Sequence, residues 1–172
     1  FEQMFSGIFG TSKSRTDEET RFVVDDIDVE TAFAPQEHPD ELLIELAENA
    51  EENIFFMIYV FTLDDLANAL VRASVRGVTV SGIVDEGFAE GDGAAMMTIL
   101  RNGGINLGID VNPWAWHHKV MIVDPQGENP VVAVGSGNWT WSMGHGNDES
   151  YVIVRDREVV RDFLEEFQAW QN

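Results

Sequence analysis

Two apolar runs rich in β-branched residues lie close together, Trp116 to Asp124 and Val131 to Val134, with a turn from Pro125 to Pro130 between them. Such residues favour strands, so the stretch reads as a buried hairpin. A hairpin of this kind needs a sheet to join. Arg21 to Val24 and Ile27 to Phe33 read as a second hairpin around Asp25-Asp26. Pro39-Asp40 opens a helix through about Glu52, with Leu43, Leu46, Ala47 and Ala50 on one face. Ile54 to Phe61 reads as a buried strand. Thr62 caps a helix through Arg76, which Gly77 ends. Val78 to Val84 is a strand, followed by a glycine-rich loop from Gly87 to Gly93, a helix ending near Gly103-Gly104 and a short strand. Tyr151 to Val154 and Val159 to Trp170 supply a late strand and a closing helix. The alternation predicts an α/β fold, a mixed, largely parallel β-sheet flanked by helices on both faces.

The polar residues of the hairpin have a spacing that matters. Strand side chains alternate faces, so His117 and Lys119 point one way and His118 the other. Ser136 and Asn138 follow the second run with the same spacing of two. Pairing of the two runs is expected to gather all four at one end of the sheet. An imidazole, an ammonium, a hydroxyl and a carboxamide around one point suit a phosphate: the Lys neutralises charge, Ser and Asn donate hydrogen bonds, and a neutral His is a competent nucleophile near pH 7. Asp124 has the opposite parity to His117, which gives it a structural role. A lone strand His is more often structural than catalytic; its company decides otherwise here. His117, His118, His145 and Asp148 are metal-ligand types, but adjacent strand residues face opposite ways, so no metal site is expected.

His117-x-Lys119-x4-Asp124 followed by Gly135-Ser136-x-Asn138 resembles the HKD motif of the phospholipase D superfamily, and Asn147-x-Glu149 resembles its further Asn-x-Glu element. The resemblance runs from about Ile27 to Trp170 and is nearest to the compact single-motif, nuclease-like branch. The gap between Asp124 and Gly135 is about four residues longer than usual in that pattern; Pro125 to Pro130 reads as a turn that lengthens the hairpin without moving the site. The resemblance implies a metal-independent phosphodiesterase with no cofactor. His117 would attack phosphorus and form a phosphohistidine. Lys119 and Asn138 would hold the non-bridging oxygens, with Ser136 nearby, and Glu149 would orient His117. Gly135 and Asp124 would be structural parts of the motif. His145, in a glycine-rich loop, is a candidate substrate contact.

The scheme needs two such motifs, and the sequence holds one. The second is expected from a homodimer mate or from a preceding domain of a longer chain. Residues 1–20 read as a linker or the tail of a preceding element, with a flexible polar stretch from Thr11 to Thr20, and residues 21–172 as the HKD domain. Nucleic acid is the leading substrate expectation. Phospholipid hydrolysis or phosphatidyl transfer is the alternative, and a non-catalytic half of a two-motif protein is the third reading.

Composition bounds the rest. At 172 residues the chain can bury a full core. It has no cysteine, which removes disulfides, Cys-based zinc sites and Cys nucleophiles. Against 31 acidic residues stand 10 basic ones, a formal net charge of -21, and Lys13 and Lys119 are the only lysines. Such a charge repels nucleic acid in dilute buffer. At molar salt the Debye length is about 3 Å and the repulsion fades, so the composition reads as adaptation to a high-salt environment; the compartment is open. No segment has the basic amphipathic character of a membrane-docking helix. Trp114, Trp116, Trp139 and Trp141 are candidate base-stacking residues, with Trp139 and Trp141 expected instead in the core or an interface. Asp85-Glu86, at a strand end, is expected as a solvated turn, with a contact at the rim of the site as the alternative.

Overall fold

The computed structural model describes residues 2–16, 19–91, 93–111, 114 and 116–171. Helix α1 (Glu2–Phe5) and a 3-10 turn at Gly10–Ser12 come first. The hairpin of β1 (Arg21–Val24) and β2 (Ile27–Phe33) turns on Asp25 and Asp26, both with positive φ. Short polar Asp tolerates that conformation better than bulkier residues do.

Helix α2 (Pro39–Asn49) begins with Pro in its first turn and with Asp40 and Glu41 facing the positive helix end. Strand β3 (Asn53–Ile58), helix α3 (Asp64–Arg76), strand β4 (Thr79–Asp85), helices α4 (Glu86–Glu90) and α5 (Ala94–Asn102), and strand β5 (Asn106–Asp110) follow. The expected Gly87–Gly93 loop is thus largely helical; Asp92 within it lies outside the described residues. Then come β6 (Lys119–Val123), β7 (Val131–Gly135), α6 (Trp141–His145), β8 (Ser150–Arg155) and α7 (Arg157–Ala169).

All eight strands form one sheet in the order β1-β2-β8-β7-β6-β3-β4-β5. Among the described residues only β3–β4 and β4–β5 are parallel; the other five pairings are antiparallel. The α/β class stands, and the expected predominance of parallel strands is corrected. A parallel neighbour needs a long crossover, and only β3–α3–β4 and β4–α4–α5–β5 provide one. Strands β6 and β7 are joined by a turn, and β8 returns antiparallel after the short α6.

Alternation along the central strands sorts two cores. Ile54, Phe56 and Ile58 of β3, Met121 and Val123 of β6 and Ala133 of β7 face a large cluster with Leu43 of α2, Leu66 and Leu70 of α3 and Leu100 of α5. Met57, Val120, Ile122 and Val132 face a smaller cluster with Val160, Leu164 and Phe167 of α7. Every residue of β6 is buried.

The leading segment does not hang free where the structure describes it. Lys13 Nζ pairs with Asp148 Oδ1 at 2.6 Å and donates to Ala34 O at 2.8 Å. Gly10 N donates to both oxygens of Asp148, at 3.0 and 2.9 Å, and Gln36 Nε2 donates to Gly10 O and Lys13 O. The expected flexibility of Thr11 to Thr20 is corrected at its start; Asp17 and Glu18 lie outside the described residues.

Candidate active site

The start of β6 is pinned from two sides. Asp85, at the end of β4, is buried and accepts from Trp116 N at 3.0 Å while capping α4 through Phe88 N at 3.2 Å. Tyr59 N donates to His118 O at 3.0 Å. Asp85 is therefore a backbone anchor and not the solvated turn expected of it. Between these ties His117 stands exposed, its ring 5.0 Å from that of Tyr59. His118 turns to the other side, against the rings of Trp116 at 4.6 Å and Trp170 at 6.4 Å. Burial there lowers its pKa.

Lys119 is buried, with 4% of its surface exposed. Its ammonium donates to His117 O at 3.0 Å and lies 5.4 Å from the centre of the Tyr59 ring. Burial pushes its pKa below the ordinary lysine value, and the Glu149 carboxylate opposes that shift. Tyr59 thus faces both the imidazole and the ammonium. Sequence reasoning missed it: Tyr59 lies just past β3, and only its position beside the His-x-Lys strand in the folded sheet brings it to the site.

The loop after β7 is stitched from below. Tyr151 Oη donates to Gly137 O at 2.6 Å and accepts from Trp139 Nε1 at 3.1 Å; burial raises the phenol's pKa and keeps it protonated for this role. Trp139 N donates to Val60 O, and Thr62 N and Leu63 N donate to Trp139 O. The N-cap position of α3 falls on Leu63, which offers no side-chain cap, so the expected capping by Thr62 is corrected. Trp139 is fully buried against Phe56 and Phe61. Gly135 is required by close approach: a Cβ there would sit 2.4 Å from Ser150 O. This stitching sets Asn138 beside the Tyr59–Val60 segment. The buried Asn138 Oδ1 has no hydrogen-bond partner among the described residues.

Glu149 closes the group. Its Oε2 accepts from Ser136 Oγ at 2.6 Å and its Oε1 from Asn147 Nδ2 at 3.2 Å; Ser136 Oγ in turn accepts from Ser150 N at 3.1 Å. One expectation is corrected here. The carboxylate hydrogen-bonds to Ser136 and Asn147, not to His117 of the same chain, because the neighbouring ends of β7 and β8 bring Ser136 and Glu149 side by side. Strand β7 ends at Gly135, so strand parity stops short of Ser136, and its hydroxyl is placed instead by Glu149 and Ser150. Ser136 enters the site through Glu149.

Asp124 lies at the far end of β6 from Lys119, about 16 Å away at strand spacing, too far to touch a ligand bound at the ammonium. Its carboxylate accepts from Glu51 N, Glu52 N and Asn53 N at 2.8 to 2.9 Å. His145 lies on α6, its Nδ1 3.1 Å from Trp141 O and 3.6 Å from Asp40 Oδ2, and its ring stacks on Trp141. Trp141 is 64% exposed, so of the two places expected for it, core or interface, the core is excluded. Among the described residues no group of three or more His, Asp or Glu is placed to hold a metal ion.

The fold and this site together define a phospholipase D-like domain. Residues 43–170 match the family described as "Cardiolipin synthase, PLD-like domain", and the chain belongs to that family. It is 29% identical over 137 residues to a phospholipase D of Rickettsia prowazekii, covering 80% of this chain and 64% of that protein. It is 34% identical to the human mitochondrial cardiolipin hydrolase over 123 residues, 71% of this chain and 47% of that protein. The chain therefore spans about half to two thirds of the length of these relatives. Among solved structures it is similar to Nuc of Salmonella typhimurium, a phospholipase D family member, with a TM-score of 0.76 and 32% identity over 84% of this chain and 93% of that one. NucT from Helicobacter pylori shares the fold, with a TM-score of 0.75 at 22% identity.

Proposed function

We propose that the chain is one half of a metal-independent phosphodiesterase that cleaves nucleic acid through a phosphohistidine and is completed by a second HKD motif. The observation that carries this reading is an exposed imidazole, His117, beside a buried ammonium, Lys119, with an unpartnered carboxamide oxygen at Asn138. A buried ammonium with a single hydrogen bond, to His117 O, and a buried carboxamide oxygen with none are costly, and a phosphate would give both groups a partner. An amide flip turns the Asn138 nitrogen towards that phosphate. His117 Nε2 bonds to phosphorus as the bond to the leaving alkoxide breaks, and an imidazolium of the second motif gives that alkoxide its proton. Water, deprotonated by the same group, then displaces His117 and releases the phosphate monoester. Lys119 and Asn138 hold the non-bridging oxygens. Glu149, aimed by Ser136 and Asn147, supplies the carboxylate that steadies imidazolium charge.

One observation supports a nucleic acid substrate. The resemblance accounts for 93% of the compact Nuc chain but for only 47% of the cardiolipin hydrolase. The family description and the phospholipase and cardiolipin hydrolase relatives favour phospholipid as the second reading.

One experiment separates them. The protein is incubated at molar KCl with EDTA and plasmid, single-stranded DNA, RNA or a fluorescent phospholipid. Cleavage of nucleic acid is expected, and His117→Ala is expected to lower it by on the order of 10⁴-fold. Activity abolished by EDTA would sink the metal-free scheme, normal turnover by His117→Ala would remove the nucleophile, and turnover of the lipid alone would select the second reading. Light scattering under the same conditions is expected to give the mass of a dimer; an active monomer would rule out completion by a second copy.

A further inference from the structure

Trp141 is a large apolar side chain that contributes to neither core. It is 64% exposed, whereas Trp139, two residues earlier, is fully buried. Yet Trp141 is held in place. The His145 ring lies flat against it, with centroids 4.8 Å apart and an interplanar angle of 10°. His145 is held in turn: Nδ1 reaches Trp141 O at 3.1 Å and Asp40 Oδ2 at 3.6 Å, and Asp40 is only 4% exposed. The approach of α6 to Asp40 is so close that a Cβ on Gly144 would sit 2.0 Å from Asp40 Oδ1. The other face of the indole is left to solvent.

The position of this stack is informative. Trp141 is three residues past Asn138, so their Cα atoms are at most about 11 Å apart. On the other side α6 runs into Asn147 and Glu149, with Asn147 N donating to Ser142 O at 2.8 Å. The stack therefore lies on the chain segment that joins Asn138 to Glu149, two of the residues proposed above to serve the phosphate.

The charge distribution adds a second, independent argument. Six of the ten basic residues, Lys13, Arg21, Arg72, Arg76, Arg155 and Arg161, are in ion pairs with carboxylates of this chain. With a net charge of -21 the domain has no basic groove's worth of free cations to track a polyanion. Stacking is the remaining source of affinity: every base has a π-face, aromatic stacking is sequence-tolerant, and it survives the salt that screens charge.

Resting on the nuclease reading above, we propose that Trp141, backed by His145 and Asp40, is a stacking platform for one base next to the scissile phosphate, so that the enzyme prefers single-stranded nucleic acid with an unpaired base there. A preformed aromatic face binds without the entropy cost of ordering it.

The test compares a single-stranded oligonucleotide with the same oligonucleotide made abasic around the cleavage site, at molar KCl. The wild type is expected to show a KM roughly tenfold higher for the abasic substrate, the size that stacking of one base confers. In Trp141→Ala that ratio is expected to fall to about one, and in Trp141→Phe to be largely kept, which also controls for folding. Retention of the wild-type ratio by Trp141→Ala overturns the platform and leaves the nuclease reading standing. Failure of the wild type to cleave either oligonucleotide, with turnover of phospholipid vesicles, overturns the nuclease reading instead. Loss of vesicle binding by Trp141→Ala would then assign the exposed indole to a lipid surface.

Discussion

Lys119 carries its charge where charge is expensive, and the surroundings reveal what tolerates it. One hydrogen bond to His117 O, the face of Tyr59 and the nearby Glu149 leave the ammonium short of the partners a buried cation needs. Asp124 is the opposite case, a carboxylate whose oxygens are saturated by three backbone N–H groups. Replacing it by Ala strands those donors between β3 and the β6–β7 turn. Asp124→Ala is expected to lose about 3 kcal/mol of stability, read as a lower midpoint in urea, and to lose activity only through unfolding. A variant as stable as the wild type would deny Asp124 its bracing role. The distinction between these two motif residues was legible in the sequence, because a seven-residue offset from His117 reverses strand parity. Tyr59 and Asp85 were not legible: each acts through a neighbour that only the folded sheet provides.

At the scale of elements, the joint between the leading segment and the Asn147–Glu149 turn matters most. Lys13 and Asp148 form a pair that is largely buried, tied further by Gly10 and Ala34. Burial works against the ionised carboxylate, but the Lys13 hydrogen bond, the Gly10 N–H and the Lys13 charge outweigh it and hold the Asp148 pKa below the ordinary carboxylate value. A depressed pKa stabilises at pH above the unfolded value and ceases to do so as pH falls through the folded one. The joint is therefore intact near neutrality and weakens below about pH 4. Lys13→Ala is expected to speed hydrogen exchange at Gly10 and Asp148–Glu149 without changing β6; unaltered exchange there would show that the segment is held by other contacts. No periodicity in residues 1–20 signals this docking, so it read as linker. The hairpin of β6 and β7, by contrast, was visible in its β-branched runs. The excess of antiparallel pairing was not, since spacing alone does not tell a returning strand from a crossover.

For the whole molecule the dominant quantity is charge. A net charge of -21 on a 19.2 kDa domain sets its surface against itself. Raising ionic strength from 0.01 to 1 M shortens the Debye length from about 30 to about 3 Å. The midpoint of thermal unfolding is therefore expected to climb across a KCl series; a flat or falling series would show that the acidic surface is not under such repulsion. The same screening favours association of two copies, so the proposed dimer and its proposed nuclease activity are expected to rise together with salt.

Strand β6 is buried along its whole length and held at both ends, by Asp85 and Tyr59 before it and by Asp124 after it. Beyond Asp124 the turn surfaces at Gln126, Glu128 and Asn129, closed locally by Gly127 N to Asp124 O at 2.9 Å and by Arg157 Nη2 to Gly127 O at 2.8 Å. A stiff rod with the proposed nucleophile at one end insulates that group from its other end. The Glu128–Asn129 bond is thus a natural port for grafting: a fluorophore, an affinity handle or a whole guest domain placed there would ride more than one strand length, upwards of about 20 Å, from the imidazole.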